Sequence, residues 1–117
     1  MPPETPKLLE DIRGAAAFIL DRTRGRPLAA YLSDELLRAA VERKFEIIGE
    51  ALNRLGRQDP AALSRIPDHA RIVAFRNVLA HGYDAVDHER VWDAIKNFLP
   101  GVLLKVEDLL GTSPGSR

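Results

Sequence analysis

The sequence predicts an all-α protein, an antiparallel four-helix bundle with a short connector helix. Apolar residues recur at three- and four-residue steps through most of the 117 residues, and we find no convincing alternation of apolar and polar residues of the kind that strands show. Short connections between long amphipathic helices favour antiparallel neighbours. The length fits one domain, which we expect to span residues 1–110, with a disordered tail at 111–117.

The first two helices carry clear apolar stripes and end signals. The first is expected from about Pro6 to Thr23, with Thr5 as its N-cap. The second is expected from about Asp34 to Leu55, with Ser33 as its N-cap and Gly56 as its stop. Both stripes have the width that one buried face of an amphipathic helix requires.

The second half of the chain predicts a connector and two more helices. Asp59-Pro60 can begin a short helical turn, and the third helix begins near Pro67, with Gly82 able to end or bend it. The fourth helix begins after Asp87, and Pro100-Gly101 should kink it. Its apolar face is unusually wide, so the helix either lies centrally in the bundle or meets a second subunit.

Composition and charge exclude several classes of protein. There is no cysteine, so disulfides and thiolate metal sites are excluded. No apolar run is long enough to span a bilayer, and the N-terminus lacks a signal-peptide pattern, so we expect a cytoplasmic protein without a membrane partner. The formal net charge is +0, which speaks against a protein that coats DNA or RNA but leaves room for a local basic patch.

The side chains best suited to catalysis or phosphate binding lie between positions 75 and 84. They include a guanidinium (Arg76), an amide (Asn77), an imidazole (His81) and a phenol (Tyr83). On a helix, Asn77 and His81 share a face, whereas His81 lies about 140° around the axis from Arg76. A bend at Gly82, or a second copy of the helix across a dimer axis, would bring Arg76 and His81 together.

This set suits cleavage of a phosphodiester bond by the 2′-hydroxyl of RNA itself, without a metal. A histidine with a pKa near 6.5 can take a proton from the nucleophile or give one to the leaving oxygen. An arginine can hold the phosphate through two hydrogen bonds, and Asn77 can orient His81 or donate to a phosphate oxygen. The structural alternative is that Arg76 pairs with a surface carboxylate and His81 favours a helix C-terminus.

A second group of polar residues follows one face of the second predicted helix. Arg43, Glu46 and Glu50 lie one turn apart, which is typical of a solvated face. The alternative is that Glu50, beside Gly49, supports a cleft between subunits by holding Arg76 or Arg43. Gly49 favours a close helix contact, either within the subunit or across a dimer.

No cofactor or metal is expected. The carboxylates of Glu46 and Glu50 could suggest a metal site, but no histidine accompanies them on that helix. His69 and His88 form no ligand pattern with other residues, and we expect both to lie at the surface. Trp92 is expected in the core.

Several ordered stretches of the chain resemble the HepT-like proteins of the HEPN superfamily. The signature R-x4-H-x-Y is present from Arg76 to Tyr83, and residues 40–51 are similar to the family's second-helix segment. Ile66-Pro67 stands at about the family's distance before the motif, and the family's usual continuation follows it. The resemblance covers about residues 8–105. One departure is Asp68-His69, where the family often has an aromatic residue.

The resemblance implies a fold, an activity and a partner. HepT-like proteins form homodimers of helical bundles in which the motif helices face each other across a cleft. Their motif arginine and histidine, here Arg76 and His81, act in metal-independent cleavage of RNA, either tRNA or mRNA. They are usually toxins paired with a nucleotidyltransferase antitoxin, and in studied systems that partner attaches AMP to the motif tyrosine, here Tyr83.

Two other functions remain open at this point. The chain could be a non-catalytic helical module that binds a nucleotide or RNA, or docks a nucleotidyltransferase, and the neutral net charge favours this somewhat. It could also be a purely structural helical oligomer. Substitution of Arg76 or His81 would distinguish these from a nuclease.

Overall fold

The computed structural model describes residues 2–80 and 86–111, and throughout these residues the chain is helical with no strand. The all-α prediction is therefore confirmed, although the helices are more numerous than the expected four and a connector. The described helices are α1 (Thr5–Thr23), α2 (Leu28–Ser33), α3 (Glu35–Gln58), α4 (Pro60–Ser64), α5 (His69–Ala80), α6 (His88–Asn97) and α7 (Leu99–Leu110).

Helix α3 is the central element of the fold. It packs against α1 and α5 along its length and against α2 and α4 near its ends, while α7 lies against α1 and α6. The core is built from the apolar stripes that the sequence showed, so hydrophobic burial fixes these helix contacts. Its largest fully buried side chains are Tyr31, Phe45, Leu9, Ile12, Ile19, Ile48, Leu52, Leu55, Ile66, Ile72, Ile95 and Leu99.

Thr5 does not cap α1, contrary to the sequence prediction. The residue lies inside the first turn of the helix, is fully buried, and its hydroxyl donates to Asp59 Oδ2 at 2.9 Å. Asp59 also accepts from the backbone N–H of Ala62 at 3.1 Å, so it caps α4 as an N-cap aspartate does. Thr5 therefore ties the start of α1 to the start of α4 instead of terminating its own helix.

The ends of α3 also differ from the prediction. Ser33 belongs to α2, and Asp34 is the N-cap of α3, where its side chain accepts from Leu37 N at 3.0 Å. Gly56 does not stop the helix, which continues to Gln58. A Cβ built on Gly56 would lie 2.9 Å from the side chain of Leu63, so the glycine allows α4 to approach α3 closely.

The start of α5 lies slightly later than predicted. Asp68 has a φ of 58°, a left-handed conformation, and the helix begins at His69 instead of near Pro67. The carbonyl of Asp68 accepts from Ile72 N at 3.1 Å, so the first helical hydrogen bond forms only after this turn. The possible bend at Gly82 lies outside the described residues.

Helix α6 begins as predicted, but the fourth predicted helix is broken instead of kinked. The side chain of Asp87 accepts from the backbone N–H groups of Glu89 and Arg90, which confirms it as an N-cap. The break lies at Phe98, and Pro100 falls within the first turn of α7, where a missing N–H costs nothing. Gly111 ends α7 with a φ of 74°, and residues 112–117 of the predicted tail lie outside the described residues.

In the described part of the chain, no helix has the length and apolarity needed to cross a bilayer.

Candidate active site

The crossing of α3 and α5 places Gly49 directly against Arg76. A Cβ built on Gly49 would lie 2.3 Å from Cβ and 2.5 Å from Cγ of Arg76, closer than two carbon atoms can approach without displacement. The absence of a side chain at position 49 thus lets the stem of Arg76 lie on the backbone of α3. Of the two contacts that the sequence left open for Gly49, the structure shows the one within the subunit.

The guanidinium of Arg76 is held by groups from both helices. Nη2 lies 3.1 Å from Glu50 Oε2, and Nη1 donates to Asn77 Oδ1 at 3.3 Å. The arginine side chain is 26% exposed and that of Glu50 is 52% exposed, so the pair lies at the edge of solvent. Glu50 therefore pairs with Arg76, which is one of the alternatives that the sequence left open. Asn77 also contacts Arg76.

Three of the five N–H donors of Arg76 are left over by this arrangement, and Nε is one of them. Its Nε is buried and finds no hydrogen-bond partner within residues 2–80 and 86–111. A guanidinium has five N–H donors in a fixed plane, and a buried donor without a partner costs about 1–3 kcal/mol. Nη1 and Nη2 each keep a second N–H that no described group engages, so a phosphate oxygen can bind the guanidinium there without displacing Glu50.

The Arg76–Glu50 pair lines a shallow groove of about 240 Å³ between α1, α3 and α5. Arg43 also lines the groove but pairs with Glu46 at 3.6 Å, so Glu50 is left to Arg76. The side chains lining it are Leu8, Asp11, Arg43, Glu46, Ile47, Glu50, Ala51, Arg54 and Arg76. Three arginines and three carboxylates thus meet there, which gives a groove with a balanced formal charge.

Arg54 and Asp11 are the groove residues that sequence reasoning missed. Arg54 lies four residues after Glu50 and is exposed, so the spacing of Arg43, Glu46 and Glu50 already predicted its place on that face. Asp11 comes from a different helix, α1, and pairs with Lys7 at 3.1 Å. No local pattern predicts that contact with the groove.

Two of the predicted functional residues, His81 and Tyr83, lie outside the described residues. Helix α5 is described as far as Ala80, and the chain is described again from Val86, just before the Asp87 cap. The described geometry therefore concerns Arg76 and its neighbours Gly49, Glu50 and Asn77. The roles of His81 and Tyr83 stay predictions.

A second polar cluster lies between α2, α3 and α6. His88 Nδ1 lies 3.7 Å from Glu42 Oε2, and the hydroxyl of fully buried Tyr31 has no partner among the described residues. Burial raises the pKa of Glu42, an effect that His88 and Arg38 oppose and Glu46 reinforces. Burial also raises the pKa of Tyr31.

This cluster corrects one prediction and refines another. His88 was expected at the surface but is half-buried against Glu42, because it lies in the first turn of α6 with this side chain of α3 beside it. Trp92 is half-buried and packs on Tyr31 with ring centroids 5.2 Å apart, while Lys96 lies 4.5 Å from its ring. The tryptophan is thus at the edge of the core.

Among the described side chains, no group of three or more His, Asp or Glu residues is arranged to hold a metal ion.

Comparison with known proteins identifies a family and several relatives. Residues 12–109 match the family described as Ribonuclease HepT-like. A protein of Thermococcus cleftensis named "Probable ribonuclease HepT" is 33% identical over 101 residues, covering 86% of this chain and 91% of the relative. A candidate RNase of Caldanaerobacter subterraneus subsp. tengcongensis is 30% identical over 108 residues, covering 92% of this chain and 96% of the relative.

A third relative, a candidate RNase of Methanocaldococcus jannaschii, is 28% identical over 99 residues, which is 85% of this chain and 90% of the relative. No solved structure matches the chain significantly. Since the family match extends over most of the chain, the protein belongs to the HepT-like ribonuclease family.

Proposed function

We propose that this protein is an endoribonuclease that cleaves RNA by attack of the 2′-hydroxyl, without a metal. Family membership supports the reaction class. The single structural observation that carries the proposal is the half-buried Arg76 guanidinium, fixed between Gly49 and Glu50 with one N–H of Nη1 and one of Nη2 unused. A guanidinium positioned in advance stabilises developing phosphate charge better than a mobile one, because it need not reorganise during reaction.

The proposed step balances as a transesterification. The ribose 2′-oxygen attacks phosphorus, the bond from phosphorus to the 5′-oxygen breaks, and the products carry a 2′,3′-cyclic phosphate and a 5′-hydroxyl. Arg76 holds the phosphate oxygens, and His81 serves as general acid or base for the protons at the two ribose oxygens. Asn77, Glu50 and Arg43 support the site by ordering Arg76 and the groove beside it.

We further propose that the protein acts as a homodimer, each subunit an antiparallel four-helix bundle of the HEPN type spanning residues 1–110. Helix α5 supports this because its exposed residues include three that are uncharged, Ala70, Ala74 and Asn77, beside the charged Arg71. A helix face made mainly of small, uncharged side chains is suited to packing against another helix. A second copy of α5 packed there would bring two motif segments to one cleft.

The proposal includes a regulatory partner, a nucleotidyltransferase antitoxin that neutralises this chain as a toxin. The supporting observation is the motif tyrosine at position 83, two residues after His81. Attachment of AMP to Tyr83 would add negative charge close to Arg76 in sequence, and a phosphate can pair with an arginine in place of the substrate. The RNA substrate, tRNA or mRNA, places the activity in the cytoplasm.

The experiment is a cleavage assay with purified protein, freed of any partner, on tRNA and mRNA pools in the presence of EDTA. We expect cleavage by the wild type and by His69→Ala, which removes an imidazole from the other end of the motif helix. We expect none from His81→Ala. Equal behaviour of wild type and His81→Ala would overturn the nuclease proposal.

A second candidate function, a non-catalytic module that docks a nucleotidyltransferase or binds a nucleotide, is favoured by the balanced charge of the groove. Three carboxylates accompany the three arginines there, and like charges near a phosphate weaken its binding. Tight complex formation with the nucleotidyltransferase, without cleavage by the free protein, would support this alternative.

A further inference from the structure

A mixed polar and apolar cavity beside the motif helix lies away from Arg76. It has a volume of about 440 Å³, lies between α5 and α6, and is also lined by Val86 and Asp87. This volume falls within the range of about 300–1,000 Å³ that small-molecule sites occupy. Arg76 does not line it, since that side chain lies on α3, on another face of α5.

The cavity joins an aromatic wall to cationic side chains. Phe75 and Phe98 are both half-buried and both line it. The guanidinium of Arg71 lies 4.9 Å from the Phe98 ring centroid, and among the described residues Arg71 pairs only with Asp68, at a long 3.8 Å. Such a planar, cationic wall is the kind of surface on which a nucleobase stacks.

The cavity also provides a free cation and two acceptors. Arg90 is exposed and has no ion pair within the described part of the chain. Asp87 is engaged by the backbone N–H groups of α6, and Asp93 accepts from Asn97. Neither carboxylate therefore neutralises Arg90 directly, and Asp93 remains able to accept a hydrogen bond from a ribose hydroxyl or a base amine.

From this combination we propose that the cavity between α5 and α6 binds a nucleotide. The base stacks beside Phe98 and Arg71, the phosphate pairs with Arg90, and Asp93 accepts from the sugar or the base. This inference rests on the proposed function in one respect: the nucleotide is part of a single-stranded RNA substrate. Because the cavity and Arg76 lie on different faces of α5, the nucleotide held in the cavity is a neighbour along the RNA strand and not the one that carries the scissile phosphate.

Binding is tested in the His81→Ala background, so that RNA stays intact, with three probes. These are 5′-AMP, inorganic phosphate and a short fluorescein-labelled single-stranded oligoribonucleotide. The test variant is Arg90→Glu, and Arg57→Glu, an exposed arginine in the last turn of α3, is the control with the same charge change. Both sites are exposed, so folding is expected to survive and is checked by circular dichroism.

We expect Arg90→Glu to weaken binding of 5′-AMP and of the oligonucleotide by about tenfold or more, as loss of a charged hydrogen-bond partner does, and Arg57→Glu to have little effect. Amide shifts in the NMR spectrum should concentrate at Arg71, Arg90 and Phe98. If the oligonucleotide competes with AMP, the nucleotide that occupies the cavity belongs to an RNA chain. If AMP binds without such competition, the cavity binds a free nucleotide instead.

Three results would overturn the proposal: no saturable binding of AMP, equal weakening by both variants, or equal affinity for phosphate alone. Kinetics separate this inference from the proposed function. If Arg90→Glu cuts RNA with unchanged KM, the cavity is not a substrate site and the nuclease account stands. If AMP binds at Arg90 but no RNA is cut by the wild type, the nuclease account fails and the cavity remains a nucleotide site.

Discussion

Gly49 and Arg76 are in contact with no space between them for a methyl group. A Cβ on Gly49 would lie 2.3 Å from Arg76 Cβ, so the arginine side chain of α5 packs directly on the backbone of α3. The next residue, Glu50, then reaches the guanidinium at 3.1 Å. Two consecutive residues of α3 therefore set both the depth and the direction of Arg76.

The first prediction concerns the contact between Gly49 and Arg76. We expect Gly49→Ala to lower the free energy of unfolding by about 1–3 kcal/mol, because overpacking outweighs the gain of about 1 kcal/mol in helix propensity. RNA cleavage should fall as well, since α5 must move. Urea denaturation measures the stability, and Gly14→Ala is the matched control.

No atom comes within 4 Å of a Cβ at Gly14, so the control should gain up to about 1 kcal/mol. A stabilised Gly49→Ala variant with normal cleavage would show that the α3–α5 contact is not tight in solution.

A second prediction separates positioning from stability at Glu50. Because the pair with Arg76 is partly exposed, Glu50→Gln should change the free energy of unfolding by less than about 1 kcal/mol. We expect it to lower kcat by about tenfold with little change in KM, since the guanidinium loses its charged anchor in the transition state. Glu10→Gln, which breaks an exposed pair with Arg13, is the control and should retain full activity. Equal kcat values for both variants would contradict the positioning role.

The third prediction is a pH dependence that originates at Glu42. Its pKa is raised in the folded state by burial, so the folded protein binds more protons than the unfolded chain near and above the ordinary pKa of 4.5. Stability contributed by this group is therefore present at low pH and is lost as pH rises through the folded pKa. Wild type should lose stability relative to Glu42→Gln as pH increases from 4.5 towards neutrality. A pH series of urea denaturations checks this, and a constant difference between the two proteins would contradict it.

The fourth prediction tests the proposed dimer. Ala70 is exposed on α5 and does not line the proposed nucleotide cavity, and a glutamate there would bury a charge in the proposed subunit interface. We expect Ala70→Glu to shift the protein from dimer to monomer in light scattering after gel filtration. The exposed Ala39 on α3 provides the control, Ala39→Glu, which should remain dimeric. A monomeric wild type would remove the basis of the shared cleft.

The sequence predicted the long helices well because each carries a stripe that one buried face requires. Helix α3 follows its stripe through Phe45 and Ile48, and Asp87 caps α6 by a local hydrogen bond. Helix α2 was missed because six residues show too little periodicity. Thr5 was misassigned because its partner, Asp59, is 54 residues away, and no local pattern encodes such a contact.

In the candidate site, too, local features could be predicted from the sequence and contacts between helices could not. The identity of Arg76 and its chemistry came from the local motif, and Gly49 and Glu50 were recognised as alternatives. Which carboxylate holds the arginine depends on how α3 and α5 cross, and that crossing is fixed by packing between helices. The nucleotide cavity depends on Arg90 of α6 and on Phe98 at the break that follows α6, so sequence spacing alone could not indicate it.

The central claim is that Arg76 holds a phosphate while the adjacent 2′-hydroxyl attacks it. The most direct test compares an oligoribonucleotide that the protein cleaves with the same oligonucleotide carrying a single 2′-deoxy residue at the scissile position. Mass spectrometry identifies the end groups of the products. We expect the all-ribose substrate to yield a 2′,3′-cyclic phosphate and a 5′-hydroxyl, and the deoxy substrate to stay intact. Cleavage of the deoxy substrate, or products with a 5′-phosphate, would contradict the account.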